Sequence, residues 1–441
     1  MDIPDRILIV GLGASGIAAA RFLSRKGKTI GLADEKNAAE LAGPLKDLEG
    51  ISFTGHFGPH RAEDFASYPL IVLSPGVDSE LPALRRAREA GVRVIGEMEL
   101  AASFIREPVI AITGTNGKTT TTTLIGEIFS RAFGDVFVGG NIGNPLINYV
   151  TGNAKTSHVI VEVSSFQLET IETFRPATAV LLNITEDHLD RYRSYDEYRQ
   201  AKYRIFDNQG SGDSAVIRKG LDVVMKGSPR VLSFSVTEEL DEGAFSKNGR
   251  LHVRMDGTET SWPRDLSPLA GVHNTENILA ALLVARIHGV DGQVIEEALR
   301  TFRGLSHRVE FVRAIRGVSF YNDSKATNVD ATKRALEGME GGIILIAGGK
   351  DKGGSYRVIR EEAGKIKALI AIGEARDRIA SELGDAIPTY LERDMAAAVS
   401  LAFTKAGQGD SVILSPMCSS FDMFRDYKDR GNTFRRIVEA L

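Results

Sequence analysis

The chain has 441 residues, 43% apolar and 25% charged, with a net charge of −4. At roughly 150 residues per domain that length predicts two to four domains, and the charge balance excludes a polycationic surface for nucleic acid. Its one cysteine, Cys418, excludes an intrachain disulfide, and no stretch approaches the ~20 apolar residues of a membrane span, so a cytoplasmic protein without nucleic-acid or membrane partners is expected.

Residues 6 to 105 alternate strand and helix signals. "RILIV" reads as a buried strand, "IAAARFLSRKG" as a helix carrying Ala19, Phe22, Leu23 and Lys26 at helical spacing, and "KTIGLAD", "LIVLSPG" and "VRVIGE" as further strands. Gly11, Gly13 and Gly16 lie between the first strand and that helix, and Asp34 ends the next strand, 18 residues after Gly16. This is the dinucleotide fingerprint, which cradles a pyrophosphate on the helix N-terminus. Alone it indicates an NAD-dependent oxidoreductase. The same loop can hold a sugar nucleotide, and nothing after residue 105 reads as a hydride-transfer site.

Pro108 marks a break, after which "VIAIT" begins a second unit and ends in a second glycine loop. Gly117, Lys118 and Thr119 follow that strand and open a helix with Leu124, Ile125, Ile128, Phe129 and Ala132 in an apolar stripe. Such a loop holds nucleotide phosphates on backbone N–H groups, with the lysine as a point charge and the hydroxyl on magnesium. The strict spacing wants glycine at 112, where this chain has Ile112; Gly114 supplies the turn. Glu162, among valines in "VIVEVSS", is a carboxylate that burial penalises unless it is paired or metal-bound. His188, after the next strand "ATAVLLNIT", falls at the same sheet edge, whereas Lys202 in "YRQAKYRIF" reads as a charged, solvent-facing side of a helix.

From 213 to 262 short β segments replace this pattern, and Asn248-Gly249 and Asp256-Gly257 bracket "RLHVRM" as an expected meander with tight turns. "NILAALLVARIHG" is a long buried helix ending in glycine, which Asn274 would cap. A third unit follows, with "GVSFYNDS", "GIILIAGG", "ALIAIG" and "SVILSP" as strands whose loops gather at one sheet edge. Tyr427 reads as a helix-face aromatic packed on its own domain, and Cys418 as a small buried residue. The expected fold is three α/β domains: a Rossmann-like N-terminal domain at 1–105, a P-loop-type central ATPase domain at 106–304, and a Rossmann-like C-terminal domain at 305–441.

The motifs "TGTNGKT", "GNIG", "VEVSSFQLE", "NITEDHLDRY", "HNTEN", "HRVE" and "NDSKATN" resemble those of the Mur ligase family. These are ATP-dependent amide-forming enzymes of peptidoglycan synthesis. "LSPMCSSFDMFRDYKDRGNTF" resembles the branch that adds D-glutamate to UDP-N-acetylmuramoyl-L-alanine, and the third unit lacks the "DNPR" motif of the diaminopimelate and lysine branch. The resemblance implies two nucleotide cradles for two nucleotides: the UDP-sugar on the first domain and ATP on the second. The amino acid sits on the third. Another Mur-type or folylpolyglutamate-type ligase, and a P-loop motor or binding protein, stay open beside it.

By this resemblance, Gly114, Thr115, Asn116, Gly117, Lys118, Thr119 and Thr120 hold the ATP phosphates, and Asn274 and Asn277 the adenine. Arg308 and Asp323 reach the nucleotide from the third domain. Mg2+ falls to Thr119 and Glu162, with a second ion near His188 and a carbamylated Lys202; Lys118, His188 and Lys202 are the implied catalytic residues. Ser15, Asp34, Lys36 and Gly76 take the UDP positions, with Asn141 and His188 also toward the sugar nucleotide. Thr327, Lys352, Ser420 and Tyr427 take those for D-glutamate. Members of the branch often carry Thr at the position of Ser15, Arg at that of Lys36 and Phe at that of Tyr427. A monomer is expected, whose third domain closes by movement near residues 300 to 308.

Overall fold

The computed structural model describes residues 3–152, 156–188, 191–269 and 271–441. Three sheets follow one another along the chain. The first runs in the order Phe53–Phe57, Thr29–Asp34, Arg6–Val10, Leu70–Leu73, Arg93–Gly96, with every neighbouring pair parallel. Both faces of this sheet are covered, so Ile7 to Val10 are all buried and the run shows no alternation. Strand order reverses between Arg6–Val10 and Leu70–Leu73, which opens a crevice at their carboxyl ends. There Ser74 Oγ donates to the Gly11 carbonyl at 2.7 Å and ties the two loops together.

The central sheet has nine strands. From Phe137–Gly140 through Val159–Glu162, Val109–Thr113, Thr178–Leu181, Ser214–Arg218 and Arg230–Ser235 to Gly243–Lys247, neighbours are parallel. The expected meander over 213–262 is therefore corrected: Ser214–Arg218 and Arg230–Ser235 are core strands of the parallel sheet. Only Gly243–Lys247, Arg250–Met255 and Thr258–Pro263 run antiparallel to one another. Their two turns form as read, with Asn248, Gly249, Asp256 and Gly257 all at positive φ, the backbone that two-residue hairpins need. The helix Val272–Ile287 buries ten successive residues, Glu276 to Ala285, because it lies between the sheet and its neighbour Lys118–Phe133.

The third sheet runs Glu310–Ile315, Val318–Asn322, Ser411–Leu414, Ile343–Gly348, Ile366–Ile372, Thr389–Leu391, with only the first pair antiparallel. Cys418 is fully buried beside it, as read.

The three units are joined in different ways. One apolar cluster runs from Ile7 of the first sheet through Leu100 to Val109, Val161 and Ile217 of the second, and Glu99 pins the junction by accepting from the backbone N–H of Glu172, Thr173 and Phe174. The apolar clusters of the third unit are its own; among the described residues none extends into the central one.

Candidate active site

The phosphate loop stands where the fully buried strand Val109–Thr113 meets the helix Lys118–Phe133. Gly117 sits at φ +83°, and a side chain there would run into Asn277 Oδ1, so only glycine closes the turn. Lys118 curls over its own loop, its Nζ donating to the carbonyls of Gly114 at 2.9 Å and Thr115 at 2.8 Å. Loss of hydration lowers its pKa from the usual lysine value. Asn183 Oδ1 accepts from the Asn116 N–H at 2.8 Å, and Arg308 of the third domain donates to Thr119 Oγ1 at 2.7 Å.

A cavity of about 290 Å3 opens over this loop, between the central and third domains. Residues 115 to 120, Asn141, Glu162, His188, Asn274 and Asn277 line its central side, and Arg308, Asp323, Thr327 and Lys352 its third-domain side. Glu162 is 2% exposed; one carboxylate oxygen accepts from Asn141 Nδ2 at 2.7 Å and the other has no hydrogen-bond partner among the described residues. A buried oxygen in that state suits a cation. His188 holds a left-handed backbone at φ +56°, with Nε2 3.7 Å from Asp187 Oδ2. Burial pushes the Asp323 carboxyl up to about 7, although Ser415 Oγ and the Val309 N–H donate to it.

Lys202 overturns the solvent-facing reading. It is 1% exposed, its Nζ donates to the Gly114 carbonyl at 2.9 Å, and the ammonium lies 4.6 Å from the centre of the Tyr198 ring. Burial, reinforced by Lys118, holds its pKa well below that of a free lysine. The helix Tyr195–Tyr203 puts Lys202 four residues after Tyr198, on the face that carries the aromatic ring inward. Asn274 is likewise corrected: Gly271 is the cap of its helix, and Asn274 Oδ1 instead accepts from Asn277 Nδ2 at 3.4 Å.

The first-domain candidates lie elsewhere. Asp34 builds the first glycine loop, accepting from the Leu12 N–H at 2.8 Å and the Lys36 N–H at 3.1 Å. Ser15 is in the first turn of the helix Ala14–Arg25, and Lys36 and Gly76 are exposed on adjacent loops. None of these four lines the central cavity. Thr327 and Lys352 belong also to a neighbouring cavity of about 240 Å3 that reaches Ser355 and Met417. Ser420 and Tyr427 line neither. Tyr427 starts the helix Tyr427–Glu439 and packs on its own domain, under Lys325 Nζ at 4.0 Å and edge-on to His307.

Several lining residues escaped the sequence. Lys325, between Asp323 and Thr327, is pushed down to about 8, chiefly by burial and then by Arg308. Asp187, Asn328 and Arg334 also line the cavity; Asp187 beside His188 and Asn328 within "NDSKATN" carried a signal, whereas Arg334 lies beyond the motif on the helix that follows.

Comparison with known proteins agrees with this architecture. Three family models match in succession: the MurD-like N-terminal domain of Mur ligases over residues 5–96, the Mur ligase middle domain over 112–285, and the Mur ligase glutamate ligase domain over 307–418. The chain is 48% identical over 440 residues to the UDP-N-acetylmuramoylalanine–D-glutamate ligase of Geobacter metallireducens, covering 99% of this chain and 97% of that one. The enzyme of the same name from Geotalea daltonii is 48% identical over 444 residues, with coverage of 99% and 97%. Among solved structures, a pseudomurein peptide ligase type C from Methanothermus fervidus shares the fold at a TM-score of 0.61 and 18% identity, covering 99% of this chain and all of that one. The oxidoreductase and motor readings of the glycine loops fall with these matches: the chain belongs to the Mur ligase family of ATP-dependent, amide-forming ligases.

Proposed function

We propose that this ligase joins D-glutamate to the L-alanyl carboxylate of UDP-N-acetylmuramoyl-L-alanine, in the making of peptidoglycan precursors. Residues 1–105 hold the UDP-sugar, 106–304 the ATP and 305–441 the amino acid. The observation that carries the reading is one cavity with a phosphate loop on one wall and Thr327 and Lys352, apt for a carboxylate, on the other. The relatives named for this reaction support it along nearly the whole chain.

A carboxylate is a poor electrophile, so its oxygen first attacks the γ-phosphorus of ATP, releasing ADP and leaving an acyl phosphate. The D-glutamate amine, having shed a proton from its ammonium form, attacks that carbonyl. Phosphate then leaves with the oxygen that came from the carboxylate. The protein's part is alignment and charge neutralisation. Lys118, the N–H groups of residues 115 to 120 and Arg308 face the phosphates, and Asn274 and Asn277 the adenine. Thr119 and Glu162 fit Mg2+, on the strength of the unpartnered Glu162 oxygen. When bound, the ion neutralises phosphate charge and orients the γ-phosphoryl group. The depressed pKa of Lys202 favours its neutral amine, the form that adds CO2 to become an anionic carbamate. The His188 ring lies 6.3 Å from that of Tyr198, the ring that Lys202 approaches. Ser15, Asp34, Lys36, Gly76 and Asn141 serve the sugar nucleotide, and Ser420 and Tyr427 complete the D-glutamate end once the third domain has moved onto its substrate.

The test is phosphate release with ATP, magnesium and UDP-N-acetylmuramoyl-L-alanine while the amino acid is varied. D-Glutamate is expected to support turnover, and L-glutamate and diaminopimelate are not. Equal rates with all three would remove the D-glutamate assignment.

A further inference from the structure

The third domain meets the phosphate loop through a chain of polar contacts that the chemistry above does not use. The helix Val329–Glu337 points its N-terminus at the central domain. Asn328 caps it, its Oδ1 accepting from the Ala331 N–H, while its Nδ2 donates to Asp187 at 2.9 Å. Two residues on, in the first turn, Asp330 Oδ2 accepts from Asn116 Nδ2 of the phosphate loop at 2.5 Å and from Thr185 Oγ1 at 3.1 Å. Arg334 Nε donates to the same oxygen at 3.0 Å, and its other arm reaches Glu276 at 3.2 Å. Glu276, 6% exposed at its side chain, is held from behind by Arg218 at 2.7 Å.

We propose that Asp330 is a positioning residue: with Arg334 it latches the third domain onto Asn116, so that the phosphate loop and the third-domain cavity wall are assembled together. Two features argue for a latch over a permanent joint. No apolar cluster joins the third domain to the central one among the described residues, so this seam is held by polar groups that water can replace. And Asp330 is a single acceptor serving three donors from two domains, so its loss releases all three at once.

The consequence is a shared penalty. Arg308 and Asp323 face ATP, and Thr327 and Lys352 face the amino acid, only when the third domain is docked. Weakening the latch lowers the docked fraction, and the apparent affinity for each ligand falls by that fraction. The first domain, whose core is continuous with the central one, is outside this equilibrium.

The experiment compares the full chain with Asp330→Ala, Arg334→Ala and the milder Asp330→Asn. Binding of magnesium–AMP-PNP, measured by calorimetry, is expected to weaken about tenfold in the two alanine variants and less in Asp330→Asn. KM for D-glutamate should rise by a comparable factor with kcat within threefold, and KM for the UDP-sugar should stay within twofold. AMP-PNP affinity within twofold of the parent in all three variants would overturn the latch. So would a collapse of kcat with KM unchanged, which would put Asp330 in the chemistry itself. The KM arm rests on the D-glutamate reading; the AMP-PNP arm does not, so a parent enzyme idle with D-glutamate would strike that reading alone. Melting curves establish that each variant is folded, and Asp330→Asn, which keeps the side-chain shape, decides the matter if the alanine variants are not.

Discussion

Lys118 and Lys202 put two cationic side chains on one carbonyl, that of Gly114, at 2.9 Å each. Burial lowers the pKa of both, and at Lys202 the charge of Lys118 adds to it, which favours loss of the Lys202 proton. Lys118→Ala is expected to cut turnover about 100-fold, or ~2.7 kcal/mol of transition-state stabilisation, with the protein still folded by circular dichroism. Lys202→Ala should be inactive and regain activity with a short added carboxylate such as formate or acetate; full activity without one would refute its role. Glu97 gives a separate pH test. Its Oε1 accepts from the Ile147 N–H at 2.6 Å, its Oε2 is buried without a partner among the described residues, and burial raises its pKa from 4.5 to about 7. A carboxyl raised on folding stabilises below the unfolded pKa and loses that contribution as pH rises through the folded one. Stability should therefore decline between pH 4.5 and about 7, and Glu97→Gln should flatten the decline and gain on the order of 2 kcal/mol at pH 8. Thermal melts across that range decide it; parallel curves for the two proteins would contradict it.

At the scale of elements, most of the fold was legible because buried parallel strands are continuous apolar runs and glycine marks the turns. The strands that escaped, Phe53–Phe57, Phe137–Gly140, Thr389–Leu391 and Glu310–Ile315, all lie at sheet edges, where one side of the ladder is open and a short, mixed sequence suffices. The meander was read correctly in its turns and too broadly in extent, since "SAVIR" and "RVLSFS" carry no sign of which neighbour they pair with. The phosphate loop was legible despite Ile112, because strand, glycine and helix fix its geometry together. Gly117→Ala tests that geometry: a left-handed residue costs about 1–2 kcal/mol once a Cβ is added, and here the Cβ also meets Asn277. ATP affinity should fall by roughly tenfold or more, whereas Gly143→Ala, also at positive φ but facing open space, should leave it within threefold.

For the whole molecule, what sequence could not convey is which distant residues meet. Asn116 and Asp330 are 214 positions apart and Thr119 and Arg308 are 189 apart, yet both pairs are in hydrogen-bond contact. The inward turn of Lys202 was hidden for a related reason, since a lysine on a helix is ordinarily solvated and only tertiary packing reverses that. A continuous core between the first two domains and a polar seam to the third make the third the part free to move. Solution scattering should show a smaller radius of gyration when magnesium–AMP-PNP and the UDP-sugar are added, and identical profiles would contradict such movement.

The central claim is that the nucleotide-linked acid and the triphosphate react with each other inside one chain. Isotope transfer reads this directly. With UDP-N-acetylmuramoyl-L-alanine carrying 18O in its terminal carboxylate, turnover with ATP and D-glutamate should release inorganic phosphate that contains one 18O atom, seen by mass spectrometry. Unlabelled phosphate formed alongside the amide product would contradict the account.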